Sequence, residues 1–245
     1  PAHCGRHTDG NGQHRVMTVA AEFDEDSGWR GVAVQPDGKI VVAGFGTSEF
    51  DFIIARYTSA GTLDSGFGTG GIVTTDILGD DNGCNALALQ SDGKIVVTGY
   101  AQVSTPDYDW CAIRLTSAGA LDTGFGSSGI AIIDTGTGNE NGDGIAVALQ
   151  SDGSIILAGL LKPGGTESLG VARLTSAGAL DTGFGTGGFV TSGVSGGYGR
   201  GSAVTVDGSD RVLVCGWGDD GSGLWRAVRL TATGAFDSSF GTGGI

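Results

Sequence analysis

Four tandem copies of one short-stranded unit predict an all-β chain, a β-propeller of four four-stranded antiparallel blades. Three observations carry this expectation. One segment recurs as RYTSAGTLDSGFGTGGI from Arg56, RLTSAGALDTGFGSSGI from Arg114, RLTSAGALDTGFGTGGF from Arg173 and RLTATGAFDSSFGTGGI from Arg229, at spacings of 58, 59 and 56 residues. A second segment precedes each copy: VAVQPDGKIVVAGF ending at Phe45, LALQSDGKIVVTGY ending at Tyr100, VALQSDGSIILAGL ending at Leu160 and VTVDGSDRVLVCGW ending at Trp217. No stretch keeps a helical period over three turns, and 49 glycines in 245 residues disfavour helices.

Each unit reads as four strands. The first resembles Gly71 to Thr75, and the second, Ala86 to Gln90, has alternating residues of strand type. The turn Ser91-Asp92-Gly93-Lys94 leads into the third, Ile95 to Tyr100; Asp-Gly between apolar runs marks a hairpin because Gly accepts positive φ. The fourth covers about Trp110 to Thr116, and a Gly-rich crossover, Ala118 to Gly126, opens the next unit. Val16-Met17-Thr18-Val19 aligns without a gap to Gly71-Ile72-Val73-Thr74. The repeats therefore run about 13–67, 68–126, 127–185 and 186–241, in one domain of residues 16–245. The tail Thr242 to Ile245 reads as the start of a further first strand, either pairing at ring closure or opening a longer array. A single blade cannot bury both faces, so the ring or stack must close, and two chains sharing one larger ring is a variant.

The remaining termini and the charge narrow the class. Residues 1–15 are polar and Gly-rich and hold His3, His7, His14 and Cys4; they read as a disordered leader or an expression remnant, and the Pro1 start as a processed or truncated form. Lys and Arg total 13 against 27 Asp and Glu, a net charge of −14, which argues against nucleic acid or an anionic membrane as partner. No apolar run approaches the ~18 residues of a membrane span. No histidine follows His14, so the usual general base and the Ser-His-Asp and Cys-His nucleophile systems are missing from the scaffold.

Residues shared by all units are read as scaffold. Arg56, Arg114, Arg173 and Arg229 recur eight residues before Asp64, Asp122, Asp181 and Asp237, and are expected to clamp the crossovers. Phe67, Phe125, Phe184 and Phe240 are expected to pack blade on blade, as are Phe52, Trp110, Leu169 and Trp225 in the fourth strands. Cys4, Cys84, Cys111 and Cys215 have neither metal-site nor disulfide-framework spacing. Cys84 and Cys111 open two strands of one blade with a third between them, about 9–10 Å apart, too far for a disulfide; free thiols are expected. Cys215, in an apolar run, is expected to be buried.

The pattern Q-x-DGKI-V-x-G, then ARY or IRL, then xG-x-LD-x-x-FG, resembles the delta-60 repeat of bacterial proteins over about residues 16–245. The fourth unit departs from it, with Asp207-Gly208-Ser209-Asp210-Arg211 in the turn. The resemblance carries no catalytic motif. It implies a secreted or cell-surface bacterial protein with a propeller-like domain, often part of something longer.

Function is sought where the units differ. The Asp-Gly turns and crossovers share one face; the loops after strands one and three share the other, and they vary. Three of the loops after strand one are acidic. They contain Asp24-Glu25-Asp26; Asp76, Asp80, Asp81 and Asn82; and Asp134, Asn139, Glu140, Asn141 and Asp143. With strand one innermost, Asp76 and Asp134 lie nearest the channel, and Asp76, Asp80, Asp81, Asp134, Glu140 and Asp143 form a candidate set for Ca²⁺, which takes six to eight oxygen ligands. The alternative is a solvated acidic rim. No segment follows the spaced calcium-loop pattern. Trp29, Tyr108, Asp109, Tyr198 and Arg200 are the candidate ligand residues, since aromatics beside carboxylates suit carbohydrate. The leading expectation is a binding or surface-display scaffold for carbohydrate, protein or a small molecule, with homo-oligomers allowed. A Ca-dependent hydrolase of lactones, esters or phosphoesters at the channel mouth, and a glycosidase with paired carboxylates, stay open as alternatives.

Overall fold

The computed structural model describes residues 28–46, 51–79, 81–104, 107–135, 145–162, 168–191, 199–218 and 224–245, without the side chains of 199, 200, 217, 218 and 224. Among these residues the chain is all β, four antiparallel blades of a β-propeller. The first blade holds β1 (Gly28–Val34), β2 (Ile40–Phe45), β3 (Phe52–Tyr57) and β4 (Ile72–Thr75). The second holds β5 (Asn82–Leu89), β6 (Ile95–Ser104), β7 (Asp107–Leu115) and β8 (Ile130–Ile133). The third holds β9 (Ala146–Leu149), β10 (Ile155–Leu161), β11 (Ser168–Leu174) and β12 (Phe189–Thr191). The fourth holds β13 (Gly199–Val206), β14 (Val212–Gly218) and β15 (Leu224–Leu230). No described helix is long and apolar enough to cross a membrane.

The blades are out of phase with the sequence repeats by one strand. Ile72 to Thr75 pairs with β3, as Ala55↔Ile72 through Phe52↔Thr75, and so closes the first blade instead of opening the second. β8 and β12 do the same. β5 packs on β1 and β9, and β13 packs on β9, whereas β4, β8 and β12 are not packed on one another. The strands nearest the axis are therefore β1, β5, β9 and β13, and the expectation that the segment 71–75 is innermost is corrected. The repeat pattern is blind to this choice, because hydrogen bonding to the strand before or after leaves the same period. Val16 to Val19, expected as a strand of the first unit, lies outside the described residues. At the other end Gly244 accepts the Arg229 N–H at 2.9 Å, as Gly71 accepts that of Arg56, so Ile245 stands where the outer strands of the other blades begin.

Hairpins between the first two strands of each blade arise from their turns. Gly38, Gly93 and Gly153 all take φ near +80°, and Asp210 takes that role in the fourth blade at φ 58°. Asp tolerates this region better than most side chains. Its carboxylate also links two blades: Ser151 donates its N–H at 2.7 Å and its hydroxyl at 2.5 Å to Asp210.

Three interior cores lie between successive blades. Phe52, Ile54 and Phe67 of the first blade meet Cys84, Val97 and Ile113 of the second. Trp110, Ala112 and Phe125 meet Ile155 and Leu157 of the third. Leu169, Val171 and Phe184 meet Val212 and Val214 of the fourth. Among the described elements, the first and fourth blades share no comparable packing, so the blades form an arc. Trp225 and Cys215, expected to be buried, are exposed on the outer face of the fourth blade. The reason is positional: Ala43, Thr98 and Ala158 occupy the site of Cys215 in the other blades and are covered by the following blade, while nothing described covers the fourth.

The repeated Arg–Asp clamp is present in all four units. Each Arg Nε donates to the carboxylate eight residues on, at 2.8 Å for Arg56, Arg114 and Arg229 and 2.9 Å for Arg173. Each guanidinium also lies over the Phe of its own crossover, 4.6–4.8 Å from the ring centre. Lys39 and Lys94, from the hairpin turns, add a second cation to Asp64 and Asp122 at 3.0 and 3.2 Å.

Candidate functional site

The turns and crossovers occupy one end of the arc, and the loops after the second and fourth strands occupy the other. At the loop end of the second blade, Gln102 donates its N–H to the Asp81 carbonyl at 2.9 Å and pairs with Tyr108 across β6 and β7. Asp81, Gln102 and Tyr108 thus form one row across the sheet. The Tyr108 hydroxyl reaches back along that row and donates to Asp81 Oδ2 at 3.0 Å. Tyr100 meets the Tyr108 ring edge to face, with ring centres 5.6 Å apart. Burial, then the hydrogen bond to Asp81 and its charge, raise the Tyr108 phenol above its ordinary range and keep it a donor. Among the described residues, the other oxygen of Asp81 is buried with no hydrogen-bond partner, as is one oxygen of Asp107 at the start of β7. Buried carboxylate oxygens without donors are costly and ask for a partner.

Asp109 is the next residue along the strand from Tyr108, so its side chain points to the opposite sheet face. It is buried, and it accepts the Thr135 N–H at 2.9 Å and the Thr135 hydroxyl at 3.3 Å. Burial, with the neighbouring charges of Asp134 and Asp107, raises its pKa against the pull of the Thr135 N–H. Asp109 therefore anchors the chain leaving β8 and is not part of the Tyr108 row.

The other candidate ligand residues are dispersed. Trp29 packs on Val42, Ala55 and Tyr57 of the first blade. Arg200 lies in β13 of the fourth blade, and Tyr198 lies outside the described residues. Of the candidate metal ligands, Asp80, Glu140 and Asp143 lie outside the described residues. Asp76 and Asp134 come just after β4 and β8, the outer strands of two different blades, and so are not nearest the axis. Asp76 accepts the Gly79 N–H at 2.7 Å. Among the described residues no three His, Cys, Asp or Glu side chains are grouped to hold a metal ion. Tyr100 and Gln102 are the site residues that sequence reasoning missed. Tyr100 ends the third-strand run Ile95 to Tyr100 and Gln102 lies just beyond it; only the strand register sets Gln102 opposite Tyr108 and Tyr100 two pairs along, within ring contact.

The cysteines behave as expected in the second blade. Cys84 and Cys111 both pair with Gly99, one on each side, and are buried thiols outside any disulfide. Burial raises both thiol pKa values.

Several solved structures are similar to this arc of blades. A glucose dehydrogenase structure is similar at a TM-score of 0.51 and 11% identity, over 85% of this chain and 62% of that one. A gluconolactonase from Xanthomonas campestris reaches 0.47 at 16% identity, over 86% and 61%. An endo-arabinase from Bacteroides thetaiotaomicron reaches 0.43 at 15% identity, over 81% and 72%. The chain thus spans less than two thirds of the dehydrogenase and of the gluconolactonase, and the likeness to the dehydrogenase is one of fold. No curated protein sequence matches the chain. A family model described as a domain of unknown function, DUF5122 β-propeller, matches residues 35–67, 90–125, 150–184 and 208–240. These segments cover more than half of the chain and carry the hairpin turns, the Arg–Asp clamps and the crossover phenylalanines, and the chain belongs to the DUF5122 β-propeller family.

Proposed function

We propose that the chain is a binding propeller whose loop end, at the second blade, takes carbohydrate. The observation that carries this reading is the Asp81–Tyr108–Tyr100 arrangement, in which one carboxylate oxygen of Asp81 is buried with no donor among the described residues. Sugar hydroxyls supply O–H donors to carboxylates, and sugar C–H faces suit aromatic rings, so one ligand class meets both needs. At the crossover end, by contrast, the clamp carboxylates Asp64, Asp122, Asp181 and Asp237 already hold arginines. A secreted or cell-surface setting suits this reading, as the resemblance to delta-60 repeats implies.

The test is a glycan array and then calorimetry on the best binder. Asp81→Asn and Tyr108→Ala are each expected to weaken binding about tenfold or more, the scale of one charge-assisted hydrogen bond. Asp76→Ala, at the far end of the same loop and engaged with the Gly79 N–H, is expected to leave it unchanged. If no glycan binds, or if Asp81→Asn binds as well as the parent protein, the reading is wrong.

A further inference from the structure

Each interior blade junction is built from two distinct halves. The preceding blade supplies an aromatic or apolar side chain from its third strand and a phenylalanine from its crossover. The following blade supplies two alternating apolar residues from its inner strand, Leu87 and Leu89, Val147 and Leu149, or Val204 and Val206. Polar contacts then lock the pair. The guanidinium of Arg56 donates to the Ser117 carbonyl of the next crossover, Arg114 to Ser176, and Arg173 to Ala232 at 2.6 Å. Gly68, Gly126 and Gly185 donate their N–H groups to the carbonyls of Ala118, Ala177 and Thr233 at 2.8–3.1 Å. Gly119 presses on this contact so closely that a Cβ there would stand 2.8 Å from the Gly68 nitrogen and 2.9 Å from the Phe67 ring.

Among the described residues, one copy of each half has no blade packed on it. On the fourth blade Trp225, the counterpart of Phe52 and Trp110, is 73% exposed. A hollow of about 420 Å³ lies beside it, lined in part by Phe240 and Gly241, the counterparts of Phe67 and Gly68. The Arg229 guanidinium grips no crossover of another blade among the described residues and donates to Ser239 of its own at 2.8 Å. On the first blade Val32 and Val34, the counterparts of Leu87 and Leu89, are 68% and 66% exposed. Gly61, the counterpart of Gly119, has nothing within 4 Å of where a Cβ would be. Trp29 covers Val42 and Tyr57 on that face, so the inner strand is its open part.

We infer that the outer faces of the first and fourth blades are the two halves of one interface, and that a second copy of this chain fills them head to tail. The incoming first blade sets Val32 and Val34 against Trp225, brings Gly61 onto Phe240, and offers the carbonyls of Ser59 and Ala60 to Arg229 and Gly241. The three interior junctions establish that these residue types, in these places, make a stable contact. Exposed apolar surface of this kind on both ends marks an association site. The interface is heterologous, so two copies close a ring only if their arcs match, and otherwise the assembly grows.

The experiment is sedimentation velocity of the full chain from micromolar to sub-millimolar concentration, with Val32→Asp and Trp225→Asp. Both positions are exposed, and each variant is first shown to melt like the parent. The parent is expected to associate, and each variant alone to lose about thirtyfold or more in association, the scale of an interface hot spot. An equimolar mixture of the two variants is expected to form a one-to-one dimer, because each retains the half the other lacks. A parent that stays monomeric at every concentration overturns the inference. So does a mixture that fails to associate, since the interface would then not be head to tail. A monomer whose Trp225 is shielded from a soluble quencher also overturns it, because the chain's own residues would then cover that face.

Discussion

The second and fourth blades carry the same strand pattern, and Trp110 in one corresponds to Trp225 in the other. Trp110 is wholly buried between two blades, while Trp225 is 73% exposed. Cys111 is buried in the second blade and Cys215 exposed in the fourth. Arg114 grips the next crossover, and Arg229 turns back on its own. The difference lies in the neighbour: the second blade is covered by the third, the fourth by no described blade, and the local sequences are nearly interchangeable. In a repeat protein, burial belongs to the junction between units more than to either unit.

The largest expected effect separates the two tryptophans. Trp110→Ala is expected to cost about 3–5 kcal/mol in urea unfolding, the range for truncating a buried aromatic. Trp225→Ala, in dilute protein, is expected to stay within about 0.5 kcal/mol, as exposed positions do. Equal losses would break the comparison. A second pair sharpens it at the backbone. Gly119 and Gly61 have φ of 87° and 83°, so alanine at either costs about 1–2 kcal/mol for the left-handed conformation. Only Gly119 meets the preceding blade, and Gly119→Ala is expected to lose measurably more in the same titration.

A smaller effect concerns pH. Asp109 of the second blade has Leu224 as its counterpart in the fourth. Its carboxyl is raised by burial, so the stability it contributes is fully present below the unfolded value of about 3.9 and lost as pH rises through the folded value. Asp109→Asn keeps an acceptor for the Thr135 N–H and removes that loss. Its melting temperature relative to the parent is expected to rise from about pH 4 towards neutrality; a flat difference would show that Asp109 ionises freely. Asp122 runs the other way. The Gly124 N–H, then Lys94 and Arg114, lower its pKa, so its contribution is present above about 3.9 and fades as pH falls through the folded value.

The smallest perturbation is chemical labelling. Cys215 is expected to react with a thiol reagent in the folded protein, while Cys84 and Cys111 react only on unfolding, as peptide mapping by mass spectrometry would read. Slow labelling of Cys215 at high protein concentration, reversed on dilution, would point to a covered fourth-blade face.

Much of the candidate site is illegible in sequence for a specific reason. Tyr108 and Asp81 are both visible as loop-end residues, but their hydrogen bond spans three strands and depends on register, which a one-residue slip would abolish. Tyr108 and Asp109 look like a pair because they are adjacent, and the pleat sends them to opposite faces. Asp76 and Asp134 look axial when each repeat is taken to open with the strand before them, and hydrogen bonding puts those strands at the outer edge.

The sequence by itself determines the strands, the hairpins and the Arg–Asp clamps, because each is local or spans only eight residues and recurs four times. The tertiary structure alone decides which strand joins which blade, which strand faces the axis and which aromatics are buried. Those outcomes depend on pairing and packing between units, and the repeats, being nearly alike, carry no mark of which neighbour each will find.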